Sequence, residues 1–149
     1  MNVTIVYFSA SGNTKEMSDV LARALRDRSC RVLVTSLDEA RRSDVSAADV
    51  LLFGSPAWSG ERVVQPLADF VHGALERLRG KKVAFFGSYD WGEGRYFDGF
   101  AEELRQKGLQ VHPTALVCRA ADETLTAERA NAFLADLLGT CDMPACDSG

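Results

Sequence analysis

The sequence predicts an α/β fold: a doubly wound, five-stranded parallel sheet with helices on both faces. Two observations lead to this fold class. Short, unbroken apolar runs, typical of strands that are buried on both faces, recur along the chain. Stretches with the periodicity of amphipathic helices separate these runs, and such an alternation favours parallel strands. Because the sequence shows neither internal repeats nor a linker, we expect a single domain, at residues 1–138.

Five apolar runs mark the strands of the predicted sheet. They lie at Val3–Phe8, Val32–Val34, Val50–Phe53, Val83–Phe86 and Val111–Val117. Two strand orders are common in sheets of this kind, and in both the ligand binds beyond the carboxyl ends of the strands, near the switch point. We therefore expect the function to lie in three loops that follow strand ends, at residues 9–14, 54–62 and 88–96.

Four helices are predicted from apolar residues that recur three and four positions apart. Their stripes run from Met17 to Leu25, from Leu67 to Leu78, from Phe97 to Leu104 and from Ala130 to Leu138. Pro66 stands in the first turn of the second helix, where proline is tolerated, and Thr126 is the expected N-cap of the fourth. A weaker pattern at residues 38–48 indicates a further short helix.

The composition is that of a globular protein with an acidic surface. Of the 149 residues, 46% are hydrophobic and 26% are charged, and 21 acidic against 17 basic side chains give a formal net charge of −4. The acidic excess argues against a nucleic acid as partner and favours proteins with basic surfaces. No apolar run approaches the roughly 20 residues that cross a bilayer, and no targeting segment is recognised. We therefore expect a cytoplasmic protein that binds no membrane.

The last residues, 139–149, show no periodicity and are predicted to be a disordered C-terminal tail. Four cysteines are too few for a disulfide scaffold, and two of them, Cys141 and Cys146, lie in this tail. A metal site would need two further ligands nearby, and both histidines lie on other elements. We expect these two thiols to be solvated; a disulfide within the tail is the alternative.

The first loop has the features of a phosphate site. Its residues are Ser9, Ala10, Ser11, Gly12, Asn13 and Thr14, and it joins a buried strand to a helix. Backbone N–H groups at a helix start attract an anion, hydroxyls add neutral donors, and Gly12 lets the backbone curl around a ligand. Asn13 and Glu16 stand at the spacing of a capping box. Since Lys15 is the one basic residue here, the predicted ligand is a phosphomonoester held by neutral donors; an ordinary polar turn is the alternative.

The same loop excludes several other phosphate-binding proteins. It lacks the Gly-Lys-Ser/Thr ending of a Walker loop, and one glycine is too few for a dinucleotide fingerprint. It also lacks the nucleophilic cysteine that a phosphatase of similar architecture would place there. Ser9 and Gly54 stand where a response-regulator receiver would need acidic residues.

The second and third loops hold both tryptophans of the chain. Trp58 lies in the segment 54–61 and Trp91 in the segment 88–96, each among glycines after a predicted strand. A single tryptophan is more often part of the core than of a binding site. Two of them beside a phosphate-type loop indicate instead a crevice for a flat aromatic ring.

Together these segments resemble the flavodoxin family, the small FMN-binding electron carriers, in its short-chain type. Residues 3–14 match the first strand and phosphate loop of the family. Residues 54–61 match its loop over one flavin face, and residues 86–94 match its segment over the other. The resemblance covers nearly the whole chain and implies a flavodoxin-like strand order 2-1-3-4-5, with FMN between the first and third strands. The stretch 111–126 has no room for the insertion that splits the fifth strand of long-chain members.

The resemblance also implies which residues bind FMN, beginning with the phosphate in the first loop. Trp58 and Trp91 would cover the two faces of the isoalloxazine ring, and Glu61 would accept from its N3–H. Backbone N–H groups around Asp90 would meet the O2 edge, and the peptide Ser59–Gly60 would turn its carbonyl towards N5–H. In the second and third loops the expected FMN-binding residues are Ser55, Pro56, Ala57, Trp58, Ser59, Gly60, Glu61, Ser88, Tyr89, Asp90, Trp91, Gly92, Glu93 and Gly94.

The implied function is a low-potential one-electron carrier that moves electrons between a reductase and acceptor proteins, with no catalytic residue and no metal. An FMN-dependent NAD(P)H–quinone reductase of the same fold is the alternative. That class usually needs extra loops or a dimer interface, and the chain has no spare length for them, so we expect a monomeric carrier. A module that has lost the flavin is a third possibility, against which the tryptophan pair and the phosphate loop argue.

One residue departs from the family pattern in the third loop. Asp90 stands where the family has a glycine, and its charge is expected to make the second midpoint potential more negative; the other interpretation is an exposed acid without a role. Together with Glu61 and Glu93, Asp90 would form an acidic rim around the flavin edge. Such a rim suggests partners with basic docking surfaces.

Overall fold

The computed structural model describes residues 1–8, 12–57, 62–90, 94–120 and 123–139. The strands are β1 (Asn2–Tyr7), β2 (Arg31–Ser36), β3 (Val50–Gly54), β4 (Lys82–Tyr89), β5 (Gln110–Val111) and β6 (Leu116–Arg119). The helices are α1 (Asn13–Asp27), α2 (Arg42–Ser46), α3 (Gln65–Gly73), α4 (Leu75–Leu78), α5 (Asp98–Gln106) and α6 (Ala127–Leu138). Within these described ranges, no helix combines the length and the apolar character that a membrane span requires.

The described strands pair in parallel, in the order β2-β1-β3-β4, and β5 and β6 follow one another along the far side of β4. The predicted fold class and the order 2-1-3-4-5 are confirmed, with β5 and β6 sharing the fifth position. After β1 the chain moves outwards to form β2, and it then crosses back over β1 to form β3. This reversal places the switch point between the carboxyl ends of β1 and β3.

Helices cover both faces of the sheet because the central strands carry apolar side chains on both sides. β3 is buried along its whole length. Ile5 and Leu52 pack on one face with α1 and α6. Val6 and Phe53 pack on the other face with the helices from α2 to α5. The unbroken apolar runs in the sequence are thus the direct consequence of a two-sided core.

The fifth strand position differs from the continuous strand predicted over Val111–Val117. β4 pairs with β5 at its start and with β6 at its end, and the offset between paired residues rises from 28 at Lys82 to 30 at Phe86. The intervening turn contains Pro113, which has no N–H to donate to the ladder. Arg105 of α5 donates to two carbonyl oxygens at this break and so satisfies them. Four residues therefore interrupt the strand without any inserted segment.

The second predicted helix, over Leu67–Leu78, is in fact two helices. α3 ends at Gly73, and α4 follows after Ala74, whose φ of −111° and ψ of 11° are not helical. A glycine weakens a helix by about 1 kcal/mol relative to alanine, which makes this position the natural place for the break. The turn brings Arg77 of α4 to Ser46 of α2, whose hydroxyl accepts from its guanidinium at 2.9 Å.

Three other helix predictions are confirmed. Pro66 lies in the first turn of α3. The hydroxyl of Thr126 accepts the N–H of Arg129 at 3.1 Å and caps α6. The short helix predicted within 38–48 is α2, which begins and ends inside that range.

Candidate functional site

The carboxyl ends of β1, β3 and β4 meet around the switch point, where the three predicted loops begin. The predicted ligand-binding residues that the structure describes are Gly12, Asn13, Thr14, Ser55, Pro56, Ala57, Ser88, Tyr89, Asp90 and Gly94. The others lie outside the described residues: Ser9, Ala10, Ser11, Trp58, Ser59, Gly60, Glu61, Trp91, Gly92 and Glu93. Residues 140–149, with Cys141 and Cys146, lie outside them as well. The described residues form the frame from which both tryptophan segments extend.

Helix α1 begins at this edge with a left-handed glycine. Gly12 has a φ of +94°, it is the N-cap residue, and its carbonyl accepts the N–H of Glu16 at 3.0 Å. The predicted capping box of Asn13 and Glu16 is therefore wrong, because Asn13 is already the first helical residue and none of the described side chains caps the helix. The physical reason is the positive φ of Gly12, which glycine adopts without strain and which turns the chain into the helix one residue earlier.

The amino end of α1 offers neutral donors to an anion. The N–H groups of the first turn have no acceptor within the helix, and the helix dipole places partial positive charge there. A Cβ added at position 12 would lie more than 4 Å from every described neighbouring atom, so lack of space is not the reason for glycine there. The ammonium group of Lys15 lies 3.4 Å from the carboxylate of Asp19, and both side chains are largely exposed. The helix start can thus hold a phosphomonoester chiefly through backbone donors.

Two buried hydroxyl groups lie side by side at this helix start. Thr14 Oγ1 and Ser88 Oγ are 3.5 Å apart, and the two residues are only 1% and 4% exposed. Ser88 belongs to β4, so the contact joins the first turn of α1 to the strand that leads into the third loop. The contacts predicted between these two residues and the ligand stay predictions.

The third loop was predicted to begin at Ser88. It begins at Asp90 instead, because β4 continues to Tyr89. Pairing with β6 extends the strand: Tyr89 lies opposite Arg119, and its carbonyl accepts the N–H of Ala120 at 2.8 Å. The Tyr89 ring packs half-buried against the core on the face that carries α2 to α5. Tyr89 therefore takes part in core packing and strand pairing, and its contact with the ligand stays a prediction.

Asp90 and Gly94 stand on either side of the undescribed residues 91–93. Asp90 is exposed to solvent. Gly94 is buried with a φ of +73°, and a Cβ there would lie 2.8 Å from the ring of Tyr89. The third loop thus leads towards α5 through a position at which both the positive φ and the neighbouring ring require glycine.

The second loop starts as an extension of β3 that is fixed to β4. The N–H of Ala57 donates to the carbonyl of Ser88 at 2.9 Å. The hydroxyl of Ser55 is buried; it accepts the N–H of Val64 at 3.1 Å and donates to the carbonyl of Pro56 at 2.8 Å. Ser55 thereby connects the start of the loop to its end. The contacts predicted for residues 55–57 with the ligand stay predictions.

Gly87 lets this extension approach β4 closely. A Cβ at residue 87 would lie 1.9 Å from the carbonyl oxygen of Ser55 and 2.2 Å from the hydroxyl of Tyr96. Both distances are far shorter than van der Waals contact, and the first partner is backbone, which cannot rotate away. The position therefore accepts no side chain.

Tyr96 completes this frame, and it was not among the predicted site residues. Its hydroxyl donates to the carbonyl oxygen of Ser55 at 2.5 Å and lies 3.2 Å from the carbonyl oxygen of Ser88. Burial raises the pKa of the Tyr96 hydroxyl well above its ordinary value, and the nearby Cys118 adds to this electrostatically, so the hydroxyl stays a donor. The contact to Ser55 spans 41 residues, and no local sequence pattern marks such a pairing.

A small cavity of about 80 Å³ lies between the start of α1 and the end of β6. Its lining includes Asn13, Glu16, Ser88, Cys118 and Glu123. The Cys118 thiol accepts from the guanidinium of Arg129 at 3.2 Å, and burial raises its pKa. A cavity of this volume has room for a few water molecules.

Replacing Gly87 by alanine should lower the free energy of unfolding by at least about 2 kcal/mol, because the added Cβ overlaps the Ser55 carbonyl. Gly99→Ala is the matched control: a Cβ there meets nothing within 4 Å, and alanine in α5 should stabilise by about 0.5–1 kcal/mol. Urea unfolding of the two variants gives both values. Equal stability of Gly87→Ala and the unchanged protein would show that the frame tolerates a side chain.

Comparison with known proteins agrees with this geometry. The family model for flavodoxin matches residues 5–133. The flavodoxin of Megasphaera elsdenii is 34% identical over 116 residues, which cover 77% of this chain and 85% of that protein. The flavodoxin of Clostridium beijerinckii is 30% identical over 114 residues, covering 76% and 83%. The solution structure of two-electron reduced M. elsdenii flavodoxin superposes with a TM-score of 0.75 at 31% identity, covering 87% of this chain and 96% of that one.

The family match extends over most of the chain, and the strand order agrees with the fold of the flavodoxin structures that superpose on it. Homologues in this family bind FMN non-covalently and transfer electrons. The chain belongs to the flavodoxin family and is an FMN-binding electron carrier.

Proposed function

We propose that this chain is a low-potential one-electron carrier that moves electrons between a reductase and acceptor proteins. The observation that carries the proposal is the left-handed turn at Gly12, which opens α1 at the switch point. Beside it, the extension of β3 and the end of β4 are hydrogen-bonded into one frame, and both tryptophan segments leave from it. One end of the site suits a phosphate, and the other suits a flat ring.

The described donors fit the phosphate of FMN. The first-turn N–H groups of α1 point out of the helix end, and Thr14 brings a hydroxyl to the same turn. The ammonium group of Lys15, the one basic side chain near this turn, lies 3.4 Å from the carboxylate of Asp19, and we propose that hydrogen bonds and the helix dipole balance most of the phosphate charge. We assign residues 9–14 to the phosphate for this reason.

The ring end is supported by where the two tryptophan segments start. Trp58 directly follows Ala57, and Trp91 comes three residues after Ser88. Ala57 and Ser88 are joined by a hydrogen bond of 2.9 Å, so both segments extend from neighbouring points of the sheet edge. We assign the two indoles to the two faces of the ring, Glu61 to its N3–H, and the carbonyl of Ser59 to its N5–H.

When bound, FMN supplies a ring that takes up and releases electrons one at a time. The residues that surround the ring determine the potentials at which it takes up and releases electrons. Apolar indole faces and nearby carboxylates disfavour additional negative charge there, which lowers the second midpoint potential. Asp90 is exposed, so water and salt screen its contribution.

The same acidic groups would guide partner docking. Asp90 is exposed at the start of the third loop, and Glu61 and Glu93 belong to the two tryptophan segments. With a formal net charge of −4, the chain suits reductases and acceptors that present basic surfaces. We propose this rim as the docking surface and a monomer in the cytoplasm as the working state.

A redox titration followed by visible absorbance tests the proposed function. The purified protein should be yellow and should take up two electrons in two separated one-electron steps, the second at low potential. The same sample should oxidise NAD(P)H only slowly with a quinone when no reductase is added. Rapid turnover in that assay would favour the FMN-dependent NAD(P)H–quinone reductase instead, and a colourless protein that binds no FMN would exclude both.

Replacing Asp90 by asparagine should raise the second midpoint potential by about 20–40 mV, because a screened surface charge no longer opposes the added electron. It should also weaken the salt dependence of electron transfer to a basic partner. Asp27→Asn is the matched control, since Asp27 is an exposed acid at the other end of α1. A second potential that shifts equally in both variants, or in neither, would contradict a specific effect of Asp90.

A further inference from the structure

The hydroxyl of Tyr96 connects the two segments that lead into the tryptophan loops. It donates to the carbonyl oxygen of Ser55, on the extension of β3, at 2.5 Å. It also lies 3.2 Å from the carbonyl oxygen of Ser88, at the end of β4. A phenol has a single proton, so the shorter contact with Ser55 is the main hydrogen bond.

The surroundings show that this contact is built into the fold. Tyr96 is 5% exposed and Ser55 is fully buried, so water does not replace the phenol as donor. Gly87 leaves open the space in which the Ser55 carbonyl and the Tyr96 hydroxyl meet. Within the described part of the chain, Tyr96 is the donor found for the Ser55 carbonyl. Removing the hydroxyl would therefore leave a buried acceptor without its partner.

The contact also determines how the two loops start relative to each other. Ser55 holds the end of its own loop through Val64, and Ala57 donates to Ser88. The start of the second loop is thus bonded to β4, its end is bonded to Ser55, and Tyr96 donates to the carbonyl of the same Ser55. A shift in any of them would move the described starting points of the two tryptophan segments, Ala57 and Asp90, relative to each other.

We propose that Tyr96 is a positioning residue for FMN: its hydroxyl sets the spacing of the two tryptophan segments without touching the cofactor. The inference rests on the proposed arrangement of the ring between these segments. Since the phenol lies in the frame rather than in the crevice, its loss should reduce FMN affinity in a protein that still folds.

Tyr96→Phe tests the proposal, with Thr4→Val as matched control. Thr4 is also buried and donates its hydroxyl to a backbone carbonyl, that of Asp44, at 3.0 Å, but it lies in the middle of β1, away from the loops. FMN dissociation constants of the folded apoproteins should rise on the order of tenfold for Tyr96→Phe and stay within about twofold for Thr4→Val. Amide hydrogen exchange at Ala57 and Val64 should accelerate only in Tyr96→Phe.

Two further measurements keep the outcome decisive. A 4-aminophenylalanine at position 96 keeps a donor at the same place and should restore FMN affinity to within about threefold. In the unchanged protein, the amides of Ala57 and Val64 should both be protected from hydrogen exchange, because each is bonded within the frame; this result is available even if Tyr96→Phe does not fold. Unchanged affinity in folded Tyr96→Phe, failed rescue, or unprotected amides at Ala57 and Val64 would each overturn the proposal. An unchanged protein that binds no FMN would instead refute the proposed function.

Discussion

The site depends on one close approach, that of the β3 extension to β4 across Gly87. At this point the Ser55 carbonyl occupies the space where any other residue would place a Cβ. The approach allows the hydrogen bond from Ala57 to Ser88 and the bond from Tyr96 to Ser55. Both tryptophan segments follow directly from this frame in the sequence, so the packing of two backbones sets the distance between the points from which they start.

The two ends of the site meet different physical demands. In the proposed arrangement, the start of α1 would hold a doubly charged phosphate with the helix dipole and neutral donors. The ring end would have to make additional negative charge costly, and apolar indole faces and carboxylates would have that effect. A parallel sheet with a switch point brings both ends to the same edge, because β1 leads into the helix start while β3 and β4 lead into the loops.

The fold was largely predictable because its signals are local. Buried parallel strands appear in the sequence as unbroken apolar runs, and helices appear as apolar residues three and four positions apart. Pro66 and Thr126 indicate helix starts, because proline is tolerated in a first turn and a threonine hydroxyl can cap one. The predictions were wrong where contacts between distant parts of the chain determine the local structure. Gly12 starts α1 earlier than its neighbours suggest, and the strand break at Pro113 depends on Arg105 from another element.

For the candidate site, the structure describes the frame, and the predicted ligand contacts stay predictions. Its phosphate end follows from residues adjacent in sequence, and the resemblance supplied the ring end. Tyr96 was missed because its role rests on a contact across 41 residues, and Ser88 and Tyr89 were assigned to a loop because the pairing of β4 with β6 is not visible in either segment alone. Long-range pairing of backbones is the information that a single sequence lacks.

Calorimetric titration of the apoprotein with FMN and with riboflavin, which lacks the phosphate, tests the central claim most directly. If the glycine-led start of α1 holds the phosphate, riboflavin should bind at least about 100-fold more weakly than FMN, since several charge-assisted hydrogen bonds are lost. Equal affinity for the two flavins would show that the helix start plays no part in binding and would contradict the proposed phosphate end of the site.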